Sequence, residues 1–381
     1  MQNKKLKILE ITAFSSGACG VWTRTLAESR RLAKNNEVHV FSSNIKRGSE
    51  KREIAPRDEV IDNVKITRFD TKYSFGQNTF FWDFEKEALK LKPDVIVVHA
   101  YRQYYSTKAL KIAKKLNIPC FLVTHAPFLD KKLRNWKLNL AVFIYDKFIG
   151  KRILNKYDKV LAITNWEIPY LLNIGCKKEK IIAIPNGVPE EFFTQKRSLE
   201  KKDILFFGRI APIKNLEILI KSMKNTKFKL DIVGPEEESY KKQLEELVKK
   251  LNLKNVQFLP PVYNIKEKIA LIDQYEIFVL PSKREAMPQA LIEIMARGKI
   301  VISSKTEGGM EIIEEDKTGF LFEIGNDKEL GEIFKKIENM PEKEKDIIKN
   351  NAKEHAKQYS WDKLIKRLEE IYFRDLRKSN I

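Results

Sequence analysis

Short runs of apolar residues alternate with longer stretches in which apolar residues recur at helical spacing. The runs have the length of buried strands, and the stretches between them, such as Val21–Lys34 and Ser106–Leu116, have the length of crossover helices. This alternation is typical of α/β construction around parallel sheets. The predicted strands are Lys7–Thr12, Val38–Ser42, Lys65–Phe69, Val95–His99, Cys120–Thr124, Lys159–Ile163, Ile181–Ile184, Asp203–Phe207, Leu230–Val233, Val256–Phe258, Ile277–Leu280, Ile300–Ser303 and Gly319–Phe322.

A cluster of turn residues, Pro185-Asn186-Gly187-Val188-Pro189, interrupts the alternation near its middle. A chain of 381 residues is also longer than one ordinary domain. We therefore predict two doubly wound, Rossmann-like α/β domains, residues 1–188 and residues 189–358, with a C-terminal helix in residues 359–381 that closes the first domain. Ligands of such sheets bind beyond the carboxyl ends of the strands, so we expect a site in a cleft where those ends face each other.

Composition narrows the class of protein. Hydrophobic residues make up 43% of the chain, which is enough for real cores and excludes global disorder. The formal net charge of +20 fits an anionic ligand, an anionic membrane surface or nucleic acid. Part of that excess can also reflect a lysine- and glutamate-rich proteome.

The three cysteines, Cys19, Cys120 and Cys176, lie far apart and form neither a C-x-x-C pair nor a zinc spacing. The N-terminus passes directly into a strand, without the apolar core of a signal peptide, and no run is long and apolar enough to span a bilayer. We therefore predict a cytoplasmic protein in a reducing environment, either free or bound peripherally at the inner face of the cell membrane.

Residues 277–296 are predicted to form a strand, a loop and a helix. Glu285 falls in the loop, Pro288 in the first helical turn, where its missing N–H costs nothing, and Glu293 in the second turn. The first N–H groups of such a helix, around residues 286–289, can bind phosphate or sugar oxygens. A carboxylate one turn further can accept the hydroxyls of a ribose.

Two basic residues precede this segment. Gly208 and Arg209 end a predicted strand, and Lys214 follows at the predicted start of a helix. An arginine fork and a lysine point charge near a helix N-terminus can neutralise a diphosphate. The C-terminal half therefore predicts a site for a nucleotide diphosphate.

These motifs resemble those of the family 4 glycosyltransferases, which have the GT-B fold. Glu285 and Glu293 form a Glu-x7-Glu motif after a strand that ends in Pro-Ser, and Gly-Arg-x4-Lys precedes it. One departure is Gly308-Gly309-Met310-Glu311, where the family usually has Gly-Gly-x-Pro-Glu, so the register of these glycines is open by one position. The resemblance covers nearly the whole chain, with further matching segments in the same order at Ile184-Pro-Asn-Gly-Val188, Gly308-Gly309-Met-Glu-Ile-Ile, Thr318-Gly319-Phe-Leu-Phe and Tyr359-Ser-Trp361.

The resemblance implies a retaining hexosyltransferase that moves a sugar from a UDP- or GDP-linked donor to a hydroxyl of a glycan or lipid-linked acceptor. It implies that Arg209 and Lys214 hold the donor diphosphate. It also implies that Glu293 binds the ribose and Glu285 the transferred sugar. The other donor contacts that it implies are the backbone of Ala286, Met287, Pro288 and Gln289 at the sugar and phosphates, the strand end at Gly208, and a base site near Gly234 and Val262.

The chain contains no Asp-x-Asp motif, so no metal site is predicted and the donor charge falls to Arg209, Lys214 and helix dipoles. Apart from the nucleotide sugar, no cofactor is predicted. The route that the family implies is front-face displacement, in which the departing phosphate oxygen deprotonates the acceptor hydroxyl. This route needs no nucleophilic side chain, which agrees with our finding none in the sequence.

In the N-terminal half, Gly17 and Gly20 precede a predicted helix, where glycines let backbone amides approach a ligand. A plain tight turn explains the spacing equally well, and the segment resembles the glycine loop that closes toward the donor phosphate in the family. His125 follows a strand and can donate to a sugar hydroxyl or carbonyl, and it matches the family position that contacts the transferred sugar. A structural histidine is the alternative there, and His99 has a weaker claim than His125.

Apolar residues recur at steps of three and four before Phe148, with basic residues beside them. Such a helix can lie on an anionic membrane, or it can pack its apolar face onto the sheet. The basic flank favours a lipid-linked or otherwise anionic acceptor, and the aromatic loops at Tyr73–Phe84 and Tyr101–Tyr105 add to that half. The apolar set is Leu129, Leu133, Trp136, Leu140, Phe143, Ile144 and Phe148, and the basic set is Lys131, Lys132, Arg134 and Lys137.

Three other functions are alternatives. Glu285 and Glu293 could be the two acids of a glycoside hydrolase, although a hydrolase has no need of basic residues for a diphosphate. The charge also fits a nucleic-acid-binding protein without catalysis, but the lysines are spread over nearly every predicted helix, so no nucleic-acid partner is predicted. A Rossmann dehydrogenase would need fingerprint glycines that this chain lacks.

Overall fold

The computed structural model of the chain describes residues 5–17, 19–47, 53–75, 79–128, 135–194 and 201–379. Contacts divide the chain into two compact units, one made of Met1–Pro185 with Asp362–Ile381 and the other of Asn186–Trp361. Each unit is built on one mainly parallel sheet. This confirms the predicted class of two doubly wound α/β domains.

An eight-stranded sheet forms the centre of the first unit. The strands of this unit are β1 (Lys7–Phe14), β2 (Glu37–Ser43), β3 (Asp58–Ile61), β4 (Val64–Phe69), β5 (Tyr73–Phe75), β6 (Thr79–Phe81), β7 (Val95–His99), β8 (Cys120–Val123), β9 (Lys159–Ala162) and β10 (Ile181–Ala183). Eight of them form the sheet in the order β10-β9-β8-β7-β1-β2-β4-β3, in which, over the described residues, only β3 runs antiparallel to its neighbour. β5 and β6 form a separate hairpin. β7 is buried along its whole length, as expected of a central parallel strand.

Helices connect these strands and cover the sheet. The helices are α1 (Gly20–Leu32), α2 (Glu85–Leu91), α3 (Tyr104–Leu116), α4 (Trp136–Ile144), α5 (Lys151–Leu154) and α6 (Glu167–Ile174). α3 ends where Asn117 takes a left-handed conformation with φ of 53°, a common helix C-terminus. One face of α1 is buried at helical spacing, with Trp22, Thr25, Ser29 and Leu32.

The predicted apolar helix forms as α4, which continues through a π-turn at Tyr145–Gly150 into α5. None of the α4 residues, all of which the structure describes, is buried. The alternative that this helix packs its apolar face onto the sheet is therefore wrong. The other predicted members of the segment lie outside the described residues, namely Leu129, Lys131, Lys132, Leu133 and Arg134.

The aromatic loops belong mainly to the core instead of forming a binding surface. Trp82, Phe84, Tyr101 and Tyr105 are buried, whereas Tyr73 and Tyr104 are exposed. The hairpin β5–β6 and the edge strand β3 were not predicted. β3 pairs only with β4 at the edge of the sheet, and its residues are exposed or half-buried, so it lacks the apolar run that marks a buried strand.

A six-stranded parallel sheet forms the centre of the second unit. Its strands are β11 (Lys201–Phe207), β12 (Leu230–Val233), β13 (Val256–Leu259), β14 (Tyr275–Leu280), β15 (Ile300–Ser304) and β16 (Phe320–Phe322), in the order β13-β12-β11-β14-β15-β16. Because all these strands run the same way, the residues that follow them meet at one edge of the sheet. The helices are α7 (Leu216–Ser222), α8 (Glu238–Lys250), α9 (Ile265–Asp273), α10 (Gln289–Ala296), α11 (Glu307–Ile312), α12 (Asp327–Asn339) and α13 (Glu342–Ala356).

The last helix, α14 (Trp361–Ser379), returns to the first unit. Leu364, Leu368 and Tyr372 are buried there at helical spacing, and the Tyr372 ring lies 4.9 Å from the Phe121 ring between centroids. No helix of the described residues is long and apolar enough to cross a membrane.

The turn that begins the second unit is held by a close approach to Trp361. Val188 accepts a hydrogen bond from the Trp361 N–H at 3.1 Å and donates one to the Tyr359 carbonyl at 2.7 Å. A Cβ added at Gly187 would stand 2.3 Å from the Trp361 indole. Only glycine leaves room for the indole at this position.

We therefore expect Gly187→Ala to destabilise the second unit by about 1–3 kcal/mol, because the alanine methyl overpacks against the indole. Chemical denaturation followed by tryptophan fluorescence measures this loss. The control is Gly331→Ala, inside α12, where an added Cβ meets no described atom within 4 Å. There alanine should stabilise the helix by about 0.5–1 kcal/mol. Equal stability of Gly187→Ala and wild type would contradict the close packing.

Candidate functional site

Two of the predicted glycines meet at the carboxyl edge of the second sheet. Gly208 follows β11 and donates its N–H to the Val233 carbonyl at 3.0 Å. Gly234 follows β12 with φ of +151°, and a Cβ there would stand 1.9 Å from the Gly208 carbonyl oxygen. This approach requires glycine at 234. The two strand ends therefore present bare backbone at this edge.

Lys214 and Glu285 form an ion pair at the same edge, with 2.6 Å between Lys214 Nζ and Glu285 Oε1. The hydroxyl of Ser282 donates to the same carboxylate oxygen at 2.6 Å. Both partners are mostly buried yet still reach solvent. Lys214 ends a 3₁₀ turn and does not begin a helix as predicted, because Asn215 takes a left-handed conformation and α7 starts at Leu216.

Glu293 lies in the second turn of α10, as predicted, and forms an ion pair with Lys268 of α9. The Lys268 ammonium group also lies 4.7 Å from the centre of the Phe207 ring, at the end of β11. Lys268 was missed from the sequence because a lysine in a lysine-rich chain carries no signal of its own. Its position shows that Glu293 shares the carboxyl edge with a cation and an aromatic ring.

Arg209 has a different partner from Lys214. Its guanidinium is 3.3 Å from Glu237 Oε1, and both side chains are largely exposed. An exposed ion pair of this kind contributes only about 0–1 kcal/mol, so it constrains Arg209 weakly. The guanidinium can therefore exchange Glu237 for another anion at low cost.

The loop before α10 packs tightly against the glycine pair that follows β15. Gly308 donates its N–H to the Glu285 carbonyl at 3.0 Å, and a Cβ at Gly308 would stand 2.7 Å from Pro288 Cδ and 2.8 Å from the Ala286 carbonyl oxygen. Gly308 is thus the glycine that meets the loop. Pro288 precedes the first turn of α10 as its N-cap residue, one position earlier than predicted, because its ψ of 97° is extended.

The side chains of Met287 and Gln289 have structural partners within the second unit. The Asn186 N–H donates to Met287 Sδ at 3.1 Å, and Gln289 Nε2 donates to the Gly187 carbonyl at 3.3 Å. These contacts secure the turn at the start of the unit. A contact of either residue with a donor would therefore use its backbone.

Val262 lies in the loop after β13, next to the strand end at Gly234. It is half-buried, and the neighbouring Tyr263 is 78% exposed. An exposed aromatic ring beside a strand end is suited to stacking on a planar group. This part of the edge is the predicted base site, and its assignment stays a prediction.

In the first unit, Gly17 is required by protein packing. It has φ of +82°, and a Cβ there would stand 2.0 Å from the Arg47 carbonyl oxygen. At Gly20, the first residue of α1, an added Cβ would meet no described atom within 4 Å. The N-cap residue Cys19 makes no side-chain cap. Among the described residues nothing fills the space beside Gly20 at the start of α1, while Gly17 serves a tight turn.

His125 follows β8 in the left-handed region, with φ of 58°. Its Nε2 is 3.0 Å from Nδ1 of His99, which ends β7, and Nε2 of His99 is 3.1 Å from Oε2 of Glu10 on β1. Burial raises the pKa of Glu10 to about 8, and burial lowers the pKa of His99 to about 4 and that of His125 well below its usual value. Both histidines are therefore neutral near pH 7.

Glu167 holds the backbone beside His125 and was missed from the sequence. One carboxylate oxygen accepts from the Thr124 hydroxyl and from the Ala126 N–H at 3.1 Å, and the other from the Ile163 N–H at 2.9 Å and the Thr164 hydroxyl at 3.2 Å. Burial raises the pKa of Glu167 to about 7, opposed by these four donors. The carboxylate ties the ends of β8 and β9 together.

The described residues contain no group of three or more histidine, cysteine or acidic side chains placed to hold a metal ion. The site residues fall into two sets. Glu285, Glu293 and Lys214 lie at the edge of the second sheet with the glycine pair, and His125 lies at the corresponding strand ends of the first sheet.

Comparison with known proteins matches this architecture. A model of glycosyl transferases group 1 matches residues 188–354, and a model of glycosyltransferase family 4 matches residues 18–192. An uncharacterised glycosyltransferase of Methanocaldococcus jannaschii is 26% identical over 93% of this chain and 93% of its own length. An O-antigen biosynthesis glycosyltransferase of Escherichia coli is 32% identical over 50% of this chain and 56% of its own. The Anabaena protein HepE, crystallised with UDP, has a TM-score of 0.75 at 19% identity over 96% of this chain and 99% of its own.

The fold and these matches define a glycosyltransferase with the GT-B fold. Within that class, the chain belongs to the family 4 type of glycosyltransferases.

Glu167→Gln should destabilise the first unit by about 1–3 kcal/mol. In either orientation the new amide NH₂ would face a buried backbone N–H, and that donor would lose its acceptor. Urea denaturation at pH 8, where Glu167 is ionised, measures the loss. Glu179→Gln, an exposed glutamate of the same unit, should leave the unfolding midpoint unchanged. A Glu167→Gln protein as stable as wild type would contradict the four-donor arrangement.

Proposed function

We propose that the protein transfers a hexose from a UDP-linked donor to a hydroxyl group of a glycan or lipid-linked acceptor, with retention of configuration and without a metal ion. One observation carries the proposal. Glu285 and Glu293 lie at the carboxyl edge of one sheet, and each is paired with a lysine that an anionic ligand can attract. The UDP bound by HepE supports the choice of base.

The donor is proposed to bind by exchange of these ion pairs. Glu293 accepts the two ribose hydroxyls, while Lys268 releases the carboxylate and remains beside the Phe207 ring. Lys214 turns from Glu285 to the diphosphate, and Glu285 then accepts hydroxyls of the hexose. Arg209 leaves its exposed partner Glu237 for the same diphosphate.

The loop at residues 286–289 supplies the remaining donor contacts through its backbone. Its geometry supports this assignment, because the side chains of Met287 and Gln289 are engaged with Asn186 and Gly187. The N–H groups at the start of α10 are oriented toward the carboxyl edge and favour a negative ligand. The base is proposed to bind near Gly234 and Val262.

The chemical step proposed is front-face displacement. The bond between the anomeric carbon and the diphosphate oxygen breaks, and the acceptor oxygen bonds to that carbon on the same face. The acceptor proton passes to the departing phosphate oxygen, so no side chain acts as nucleophile. Lys214 and Arg209 stabilise the negative charge that develops on the leaving group. His125 donates a hydrogen bond to the transferred sugar.

The ion pairs also argue against a glycoside hydrolase. Such an enzyme needs one of its two carboxyl groups to hold a proton for the leaving group. Glu285 and Glu293 are each paired with an ammonium group instead. A carboxylate in this arrangement can accept hydrogen bonds from the hydroxyl groups of a ligand that displaces the lysine.

A peripheral position at the inner face of an anionic membrane is proposed from the exposed surface of α4 and the π-turn. Trp136, Phe143 and Phe148 are 70%, 58% and 61% exposed, which is unusual for three large apolar side chains within one segment. Lys147 of the π-turn and Lys151 at the start of α5 line a cavity together with Phe148. Aromatic residues flanked by cations suit the interface of an anionic bilayer. A lipid-linked acceptor fits this position.

The donor assignment is tested by thermal shift with UDP-, GDP- and ADP-sugars. The UDP-sugar should stabilise the wild type, by about 2.7 kcal/mol at a hundred times Kd, and the GDP- and ADP-sugars should not. Glu293→Gln should weaken binding of that donor by about tenfold or more, because hydrogen bonds to a charged acceptor are lost. Arg209→Ala should also weaken it, since a cation at the diphosphate is removed.

The control for the donor experiment is Glu332→Gln, an exposed glutamate of α12 in the same unit. It should bind the donor as wild type does. If no nucleotide sugar shifts the melting temperature at millimolar concentration, the donor site is misassigned. The same holds if Glu293→Gln and Glu332→Gln respond alike.

The membrane position is tested by co-sedimentation with vesicles. Wild-type protein should bind vesicles that contain equal amounts of phosphatidylcholine and the anionic lipid phosphatidylglycerol. It should bind vesicles of pure phosphatidylcholine much more weakly. The triple variant Trp136→Ser, Phe143→Ser, Phe148→Ser should bind about tenfold or more weakly. Three apolar side chains that would be buried in the bilayer are then removed. Ile324→Ser with Ile347→Ser, two exposed apolar residues of the second unit, is the control. The proposed membrane position is wrong if binding is the same with and without anionic lipid and the triple variant binds as well as the wild type.

A further inference from the structure

A continuous chain of polar groups runs through the first unit and ends at His125. Glu10 Oε2, both ring nitrogens of His99 and Nε2 of His125 are joined by contacts of 3.1 and 3.0 Å. Glu10 and His99 are fully buried. The proposed donor chemistry uses neither of them. Glu10 and His99 are thus two ionisable groups without access to water, and His99 contacts the proposed site residue His125.

The contacts couple the tautomers of the two histidines. A neutral imidazole donates from one nitrogen and accepts at the other. If Glu10 donates to Nε2 of His99, then Nδ1 of His99 must carry the hydrogen and donate to Nε2 of His125. His125 then carries its own hydrogen on Nδ1. If Glu10 is ionised, every donor in the chain reverses, and Nδ1 of His125 becomes an acceptor.

We propose that Glu10 and His99 are positioning residues that keep the hydrogen of His125 on Nδ1, so that His125 donates to the transferred sugar. The inference rests on the proposed function for its last step. The first steps concern only the state of His125. In the described part of the chain His125 has no hydrogen-bond partner besides His99, so its Nδ1 is available to a ligand.

The surroundings of Glu10 favour its protonated form. Its other oxygen, Oε1, is buried with no hydrogen-bond partner among the described residues, so a proton on Oε2 finds its acceptor in His99. Burial raises the pKa of Glu10 to about 8, and the positive charge of Arg24 acts in the opposite direction. Burial lowers the pKa of His99 to about 4. Neutral histidines beside a protonated carboxyl are the state expected at pH 7.

The charged and titratable side chains beside this chain of polar groups come from two helices, α1 and α14. α1 contributes Arg24 and Glu28, whose guanidinium and carboxylate are 3.5 Å apart. α14 contributes Tyr372, which donates to Glu28 at 3.2 Å. The positive charge of Arg24 is therefore paired with Glu28, although burial raises the pKa of Glu28 as well. Glu10 is then left to hold its proton.

A rise in pH through the pKa of Glu10 should reverse the donor and acceptor in each hydrogen bond from Glu10 to His125. One proton leaves in total. Glu10 becomes a carboxylate, His99 moves its hydrogen from Nδ1 to Nε2, and His125 carries its hydrogen on Nε2 while its Nδ1 loses one. The donor toward the sugar becomes an acceptor. Both rings stay neutral throughout, so the change is one of tautomer and not of charge on the rings.

Nitrogen NMR of protein labelled with ¹⁵N-histidine reads this state directly, and the chain has only 4 histidines to assign. At pH 6.5 we expect Nδ1 of His99 and of His125 to carry the hydrogen. Near pH 8 both rings should change together to the Nε2–H tautomer. Glu10→Gln cannot ionise, so its two rings should show no change between pH 6.5 and 9.

Glu37→Gln is the matched control, because Glu37 bonds a different histidine of the same sheet, His39, at 3.0 Å. It should leave the change in His99 and His125 as in wild type. A wild-type His125 that carries its hydrogen on Nε2 at pH 6.5 overturns the proposal. So does a change near pH 8 that survives Glu10→Gln. The wild-type titration alone decides the matter if Glu10→Gln fails to fold.

Sugar transfer provides the second readout. With saturating donor, kcat of the wild type should fall about tenfold per pH unit above pH 8, because the donor form of His125 is lost. Glu10→Gln should remove this fall. If the NMR change occurs and the protein transfers no sugar, the proposed function fails while the coupled tautomers stand. If transfer occurs and His125 keeps one tautomer throughout, the positioning role fails alone.

Discussion

Parallel pairing of strands is the constraint on which the rest of the structure depends. In the second unit every strand runs the same way, so the residues that follow the strands meet at one edge. Lys214 and Glu285 are far apart in sequence and form an ion pair there. In the first unit the same constraint places His99 and His125 side by side after β7 and β8. Chemistry at these edges is a consequence of strand direction.

The polar groups at the two edges differ in how far they are sealed from water. Glu285 and Glu293 keep some access to solvent and are paired with lysines. A ligand can displace such an ion pair, because the carboxylate and the ammonium group each gain a polar contact with the ligand in place of the one they lose. Glu10 and Glu167 are buried, and their partners belong to the fold. Those groups fix the backbone and side chains around His125 instead of binding a ligand themselves.

Apolar residues recur at helical spacing in both α14 and α4, but they are buried in α14 and exposed in α4. On α14 the spaced residues Leu364 and Leu368 are buried in the first unit. On α4 the residues Trp136 and Phe143 are exposed. Periodicity indicates that a helix has an apolar surface, but what covers that surface depends on where the chain brings it. The sequence could predict the helix and not its surroundings.

The sequence by itself determined the α/β class, the positions of nearly all the buried strands and the motif residues Glu285 and Glu293, because strand runs and short motifs are local features. The edge strand β3 and the hairpin β5–β6 were not predicted, because they lack the buried apolar run that marks a strand in the sequence. Only the tertiary structure decided which polar groups are partners. The pairing of Glu293 with Lys268 and the chain from Glu10 to His125 join residues from separate elements. Such pairing depends on strand order and register, which arise when the sheets form.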